Sequence, residues 1–245
     1  MKSDLRWTQP GATLLARSWR NKLPLVFLAA ITGIFLTQSI CRAAGSDVDG
    51  FLRNLEQQRA KVQTYKARFT QKRTLTLFDE TKTSGGMVIY KSPRQMIWKY
   101  DPPDKTQMRV DRDSVSFYFP DLKQIEVYPS GKGEKALHFF LAFEASANAL
   151  KEGFNISICA AGEKGLSQID LFPKVEPMSS EVKSITIWVG KTDYLPRKIL
   201  VREVSGDTNE IELKAARVNE PVADNELQFD APKGTKVIEA TPGAF

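Results

Sequence analysis

Residues Phe69 to Pro129 read FTQKRTLTLFDETKTSGGMVIYKSPRQMIWKYDPPDKTQMRVDRDSVSFYFPDLKQIEVYP. Aromatic and aliphatic residues recur at every second position in short runs, and each run ends at a turn signal. Alternation of this kind puts one apolar set on a single face of a β-sheet. Strands are expected over Tyr65 to Phe78, Met87 to Lys91, Gln95 to Tyr100, Thr106 to Val110, Val115 to Phe119 and Gln124 to Tyr128. A loop through Asp79-Glu80-Thr81 and Gly85-Gly86 separates the first two. Pro93, Asp101-Pro102-Pro103, Asp111-Arg112-Asp113 and Pro120-Asp121 mark the later breaks. Such even spacing predicts an antiparallel meander. Parity places Met96, Trp98 and Tyr100 on one face, then Met108 and Val110, then Val115, Phe117 and Phe119, then Ile125 and Val127. That face is either a packed core or the lining of an apolar hollow.

Outward from this stretch the pattern alternates between helix and strand. Val48, Phe51, Leu52 and Leu55 fall at helical spacing, and Ser46 or Asp47 can cap that helix. Helical segments are expected at 136–143 and 145–150, carrying Leu137, Phe140, Leu141 and Leu150. Strands return at Phe154 to Ala160, Leu166 to Phe172, Val182 to Val189, Lys198 to Glu203 and Glu210 to Ala216. The predicted architecture is a large curved antiparallel sheet with a few helices against one face. The chain beyond the leader is about 200 residues, enough for one sizeable domain, with no second domain, long linker or repeat.

The N-terminus supplies an address. Arg17, Arg20 and Lys22 precede Leu23 to Leu36, which is broken only by Pro24, Thr32 and Gly33; Cys41-Arg42-Ala43-Ala44-Gly45 follows. A basic flank, a short apolar core and a small-residue exit mark a Sec-type signal peptide, and the run is short for a membrane span of about 20 residues. Residues 1–44 are therefore assigned to the leader and 45–245 to the domain, with cleavage after Ala43 or Gly45; an uncleaved anchor is the alternative. The chain carries +6, of which +5 sits in residues 1–44, leaving +1 for the rest. The basic balance belongs to the leader and gives no argument for nucleic-acid binding. Cleavage would discard Cys41, so Cys159, in the apolar run Ile156-Ser157-Ile158-Cys159-Ala160, is expected as a small buried hydrophobe with no disulfide.

Catalytic signals are sparse. His138 is the only histidine and lies in an apolar segment, so it is expected in a structural or surface role. No HExxH, CxxC or GxSxG occurs. One histidine and one cysteine beyond the leader make a poor zinc site. Ser130-Gly131-Lys132-Gly133-Glu134-Lys135 lacks phosphate-loop spacing. Asp101, Asp104, Asp111 and Asp113 sit at turns, where aspartate is an ordinary turn former. The reading is a non-enzyme with no cofactor and no metal.

An ordered set of motifs resembles the outer-membrane lipoprotein carrier family, LolA. Phe69-Thr70-Gln71 resembles the start of the family's first strand. Gly86, Lys91-Ser92-Pro93, Met96-Ile97-Trp98 and Pro102 are similar to its glycine-led strand, Lys/Arg-Pro turn, aromatic-x-Trp strand and following proline. Val110-Asp111-Arg112-Asp113 and Phe117-Tyr118-Phe119-Pro120-Asp121 resemble the next hairpin and strand, and Leu195-Pro196 and Phe229-x-x-Pro232-x-Gly234 the late signatures.

The resemblance implies a mainly β fold, an unclosed antiparallel β-barrel with helices covering the mouth of an apolar cavity. It implies a monomeric periplasmic chaperone that shuttles acylated lipoproteins from the inner to the outer membrane. The cargo would come from an inner-membrane ABC exporter (LolCDE-like). It would pass to an outer-membrane acceptor (LolB-like) or directly to the membrane. The alternative on the same fold is a carrier or sensor of another lipid or amphiphile, such as a glycolipid or polymer precursor. The cavity and lid would draw on Phe51, Leu55, Phe69, Met96, Trp98, Tyr100, Met108, Val115, Phe117, Phe119, Leu137, Phe140 and Leu141. Met96 and Met108 suit varied cargo, because a thioether side chain adapts its shape. Two departures stand out. Ser92 occupies the place of the family's lid-holding arginine, and Arg94, beyond Pro93, is the candidate replacement latch. Asp113 replaces the hairpin glycine.

Overall fold

The computed structural model describes residues 48–129, 146–160 and 165–239. The leader, the expected caps Ser46 and Asp47, the Ser130–Lys135 stretch, His138 and the lid candidates Leu137, Phe140 and Leu141 lie outside the described residues.

Helix α1 spans Val48–Arg59 and leads into β1, Thr64–Leu75. The strands β2 (Glu80–Lys91), β3 (Gln95–Tyr100), β4 (Gln107–Val110), β5 (Ser114–Phe119) and β6 (Gln124–Pro129) follow as a meander. After α2 (Ala147–Gly153) come β7 (Phe154–Ala160) and β8 (Leu166–Pro173). A short α3 (Met178–Glu181) precedes β9 (Val182–Gly190), β10 (Pro196–Glu203) and β11 (Thr208–Val218). The last strand is β12, Lys236–Glu239. All twelve form one sheet in the order β12-β6-β5-β4-β3-β2-β1-β11-β10-β9-β8-β7. All neighbours are antiparallel except β12, which runs parallel to β6. The sheet is curved and does not close; among the described residues β12 and β7 are its two edge strands.

The inner face follows from register. Phe69 pairs with Gly86, which pairs with Tyr100, so Tyr65, Ala67, Phe69, Val88, Tyr90, Met96 and Trp98 share one side. Ile185, Ile187, Val189, Ile199, Ile211 and Leu213 continue it across the other half, and Leu52 and Leu55 of α1 pack into the same cluster. The two halves differ in chemistry: aromatic and sulfur-bearing side chains on β1–β5, branched aliphatic ones on β8–β11.

Four sequence expectations change. Gly85-Gly86 is no loop; β2 starts at Glu80 and runs straight through both. A Cβ on Gly86 would stand 2.1 Å from the Lys99 carbonyl oxygen and 2.7 Å from the Phe69 ring. The glycine therefore serves close packing rather than a turn. Ile125 and Val127 face outward. Phe119 pairs with Gln124 and Phe117 with Glu126, because the 3₁₀ turn Pro120–Leu122 and left-handed Lys123 set the register one residue away from the apolar choice. The tail holds a strand, β12, that its sequence did not announce. Cys159 is disulfide-bonded rather than a lone buried thiol. It is half-buried on β7. The one other cysteine, Cys41, lies outside the described residues.

The outer face of β1–β6 is crossed by the segment after β11. Val222, Leu227 and Phe229 pack with Met87, Ile89 and Ile97. Asp224 accepts from Lys91 (2.7 Å), Glu226 from Lys66, and Asp230 from both Lys99 (2.9 Å) and Gln107 (3.0 Å). The Arg109 guanidinium lies 5.3 Å from the Phe229 ring centroid, and Tyr118 packs against the same ring. The segment then joins β6 as β12. It touches each strand from β1 to β6 in turn.

Candidate functional site

Phe69 is the hub of the aromatic half. Because Gly86 opposite has no side chain, the Phe69 ring lies across it and meets Trp98 edge-on at 4.8 Å and Tyr100 edge-on at 5.0 Å. Trp98 is fully buried and its indole N–H points at the Met96 sulfur, 3.0 Å away. This floor is buried and packed.

Toward the end of the sheet that carries the β1–β2, β3–β4 and β5–β6 turns, the floor becomes polar in one step. The Tyr100 hydroxyl donates to Gln71 Oε1 at 2.6 Å, and Gln71 Nε2 donates to Asn209 Oδ1 at 2.8 Å. This row crosses β3, β1 and β11. Burial, with the nearby Asp104 carboxylate second, pushes the Tyr100 phenol well above its ordinary range, so it stays protonated and donating.

Beyond that row lies a recess of about 340 Å³. Tyr100, Met108, Phe117 and Phe119 form its apolar wall; Gln71, Ser84, Thr106, Arg73, Lys82 and Asp104 form its polar rim. Phe117 and Phe119, two apart on β5, stack with centroids 6.3 Å apart, and Tyr128 meets Phe117 edge-on at 5.8 Å. Burial, then its hydrogen bond to Glu126, pushes the Tyr128 phenol up to about 12. Arg73 and Lys82 sit directly opposite each other on β1 and β2. Like charges so placed repel, and the surrounding water screens them. Asp104 is held by Thr106, whose hydroxyl donates to it at 2.5 Å.

The expected cavity residues therefore separate into groups. Tyr100, Met108, Phe117 and Phe119 line the recess. Phe69, Met96, Trp98 and Val115 lie in the packed core beneath it. On α1, Leu55 is buried in that core, while Phe51 packs on Tyr194 at 5.3 Å, toward the aliphatic half. Arg94 stands on the β2–β3 turn at the opposite end from the recess, exposed and in the left-handed region at φ 52°. The rim residues Gln71, Arg73, Ser84 and Lys82 were missed, although they continue the inner parity of Phe69 and Gly86. Among the described residues, no three His, Cys, Asp or Glu side chains are grouped to hold a metal.

An unclosed sheet with an apolar recess on its inner face defines an open-barrel β protein. The sequence model "Outer membrane lipoprotein carrier protein LolA" matches residues 60–230, and the chain belongs to that family. An outer-membrane lipoprotein carrier protein from Cupriavidus taiwanensis is 23% identical over 90% of this chain and 99% of its own length. One from Pseudomonas syringae pv. tomato is 27% identical over 88% of this chain and 99% of its own. Among solved structures, a LolA superfamily protein from Nitrosomonas europaea matches 73% of this chain and 98% of its own, with 7% identity and a TM-score of 0.38. A putative outer-membrane lipoprotein-sorting protein domain from Vibrio parahaemolyticus matches 74% and 97%, at 13% identity and a TM-score of 0.44.

Proposed function

We propose that this protein is a periplasmic lipoprotein carrier that shelters acyl chains on the inner face of its sheet and moves them from the inner to the outer membrane. The observation that carries the reading is the recess walled by Tyr100, Met108, Phe117 and Phe119, in a chain whose family and relatives bear the carrier name. The physical need is large: each methylene removed from water is worth about 0.8 kcal/mol, so a long acyl chain cannot cross an aqueous space unaided.

The recess sets the scale of loading. At roughly 30 Å³ per water-sized group, its volume of about 340 Å³ takes about eleven such groups. One acyl chain fits in part, and three do not. Full loading of a triacylated cargo thus requires the inner face to widen, and the cargo partners are an exporter and an acceptor able to drive that change. In this reading Arg94 acts as the latch. The turn bearing it is tied to the chain just after α1, where the Ser92 N–H donates to the Gln63 carbonyl at 2.8 Å. Arg94→Leu should then alter loading or release, and unchanged transfer would remove Arg94 from the scheme.

The test is recovery of the protein from the periplasm followed by mass spectrometry of what it carries. Acylated proteins are the expected ligands, and depletion should strand outer-membrane lipoproteins at the inner membrane. Recovery of free lipid alone, with lipoproteins correctly placed after depletion, would overturn the carrier reading.

A further inference from the structure

The two ends of the sheet differ in what their turns expose. At the recess end, the β1–β2 turn presents Leu77, 86% exposed, and Phe78, 71% exposed. The β5–β6 turn presents Leu122, 67% exposed, and Val175 and Val204 stand exposed on the β8–β9 and β10–β11 connections of the same end. At the opposite end, the described turns are Ser92-Pro93-Arg94, Asp111-Arg112-Asp113 and Lys191-Thr192-Asp193, followed by Tyr194 and Leu195, which pack onto the core. No described turn there exposes a large apolar side chain.

Isolated exposed leucines are ordinary, but a set confined to one end marks a contact surface. These tips are also held in place. The Thr76 hydroxyl donates to the Gly206 carbonyl at 2.7 Å, and its N–H donates to Asp207 Oδ1 at 2.8 Å, so the Leu77-Phe78 tip is fixed to the neighbouring turn. The recess lies between the tips: Arg73 and Lys82 stand just below Leu77 and Phe78, and Phe119 is three residues before Leu122.

Charge around the mouth is nearly balanced. Lys72, Arg73, Lys82, Lys105 and Lys123 stand against Asp79, Glu80, Asp104 and Asp121, while Asp101 is paired with Arg68. Such a rim neither seeks nor is repelled by a surface whose headgroups carry both signs. Separate apolar tips with charged residues between them suit insertion into such a layer better than a flat protein face, which wants a continuous apolar core.

We infer that this end of the sheet docks on a zwitterionic phospholipid bilayer, with Leu77, Phe78 and Leu122 inserted and the mouth of the recess facing the lipid. The contact lets a chain pass between recess and bilayer without crossing water. Its purpose rests on the carrier reading, but docking is measured without cargo and stands or falls by itself.

The test is co-sedimentation of the protein, as isolated from the periplasm, with phosphatidylcholine vesicles. Leu77→Ser with Phe78→Ser should weaken partition by about tenfold or more, the worth of one buried leucine or phenylalanine, and Leu122→Ser should weaken it further. Asp113→Ser, exposed on the β4–β5 turn at the opposite end of the sheet, should leave it unchanged. Added salt should change binding less than about twofold, since insertion rather than charge drives it. Failure of the wild type to bind, or equal binding by the tip variants, overturns the inference. Tip variants that bind vesicles normally but lose delivery would instead assign the tips to a protein partner. Retained binding by a Phe117→Arg variant that no longer takes up acyl chains would separate docking from the recess.

Discussion

A chain-length series of fatty acids should show a break set by the recess. Each methylene that leaves water contributes about 0.8 kcal/mol, which is about fourfold in affinity. The recess of about 340 Å³ holds about eleven water-sized groups. Affinity should therefore climb about fourfold per carbon until the chain holds ten to twelve carbons, then level off as further methylenes remain wet. The gross gain at the break is about 9 kcal/mol, from which the loss of free motion on binding must be subtracted. Titration calorimetry or displacement of a fluorescent probe reads the slope directly. Phe117→Arg, which puts a cation in the wall, should flatten the whole series. A slope of zero would refute the recess as an acyl site. A slope that continues unbroken to eighteen carbons would refute its rigidity, because the packed layer of Phe69, Met96 and Trp98 would then have to open under the ligand.

Further predictions concern the frame. Gly86→Ala should destabilise the fold by about 3 kcal/mol, since the new carbon meets backbone, whereas Gly153→Ala, with open space around it, should be near neutral; denaturant melts of both check this. Phe229→Ala should cost about 2 kcal/mol by removing the ring between Arg109 and Tyr118. The hydrogen bond from Lys66 holds the Glu226 carboxyl below its ordinary range. That contribution is present above the ordinary glutamate range and is lost as pH falls through the depressed value, so hydrogen exchange along residues 222–230 should quicken in acid and Glu226→Gln should weaken the trend, leaving the share that Asp224 owes to Lys91. In the uncleaved chain a thiol reagent should label Cys159 only after reduction; labelling of that untreated chain would contradict its disulfide.

Much of the fold was legible because period-two alternation is strong where one face is buried, as in Met96-Ile97-Trp98 and Val115-Ser116-Phe117. It failed where both faces are covered. On β6 the outward residues Ile125 and Val127 lie beside Tyr118 and β12, so hydrophobicity alone chose the wrong face. Gly85-Gly86 reads as a turn in any single sequence; only the Phe69 ring lying over it reveals a strand. The recess was legible in its apolar half, at Tyr100, Met108, Phe117 and Phe119. Its rim was not, because Gln71, Arg73 and Lys82 look like solvent-facing residues until the pairing of β1 with β2 places them on the inner side. Depth within that face was equally hidden, since nothing in the alternation separates Trp98, fully packed, from Phe119, at the opening.

The segment from Val222 to Asp230 stitches the five strands β1–β5 along their back, β12 extends the brace to β6, and β7–β11 are left without such lacing. A sheet built this way is stiff on one wing and pliant on the other. If a bulky ligand is accommodated, the braced β1–β6 plate should move as a unit, with strain gathering at the seam where β1 meets β11. That seam already carries a register irregularity between Lys66 and Arg68, with Ala215 of β11 in the left-handed region, a ready crease along which the aliphatic wing can swing.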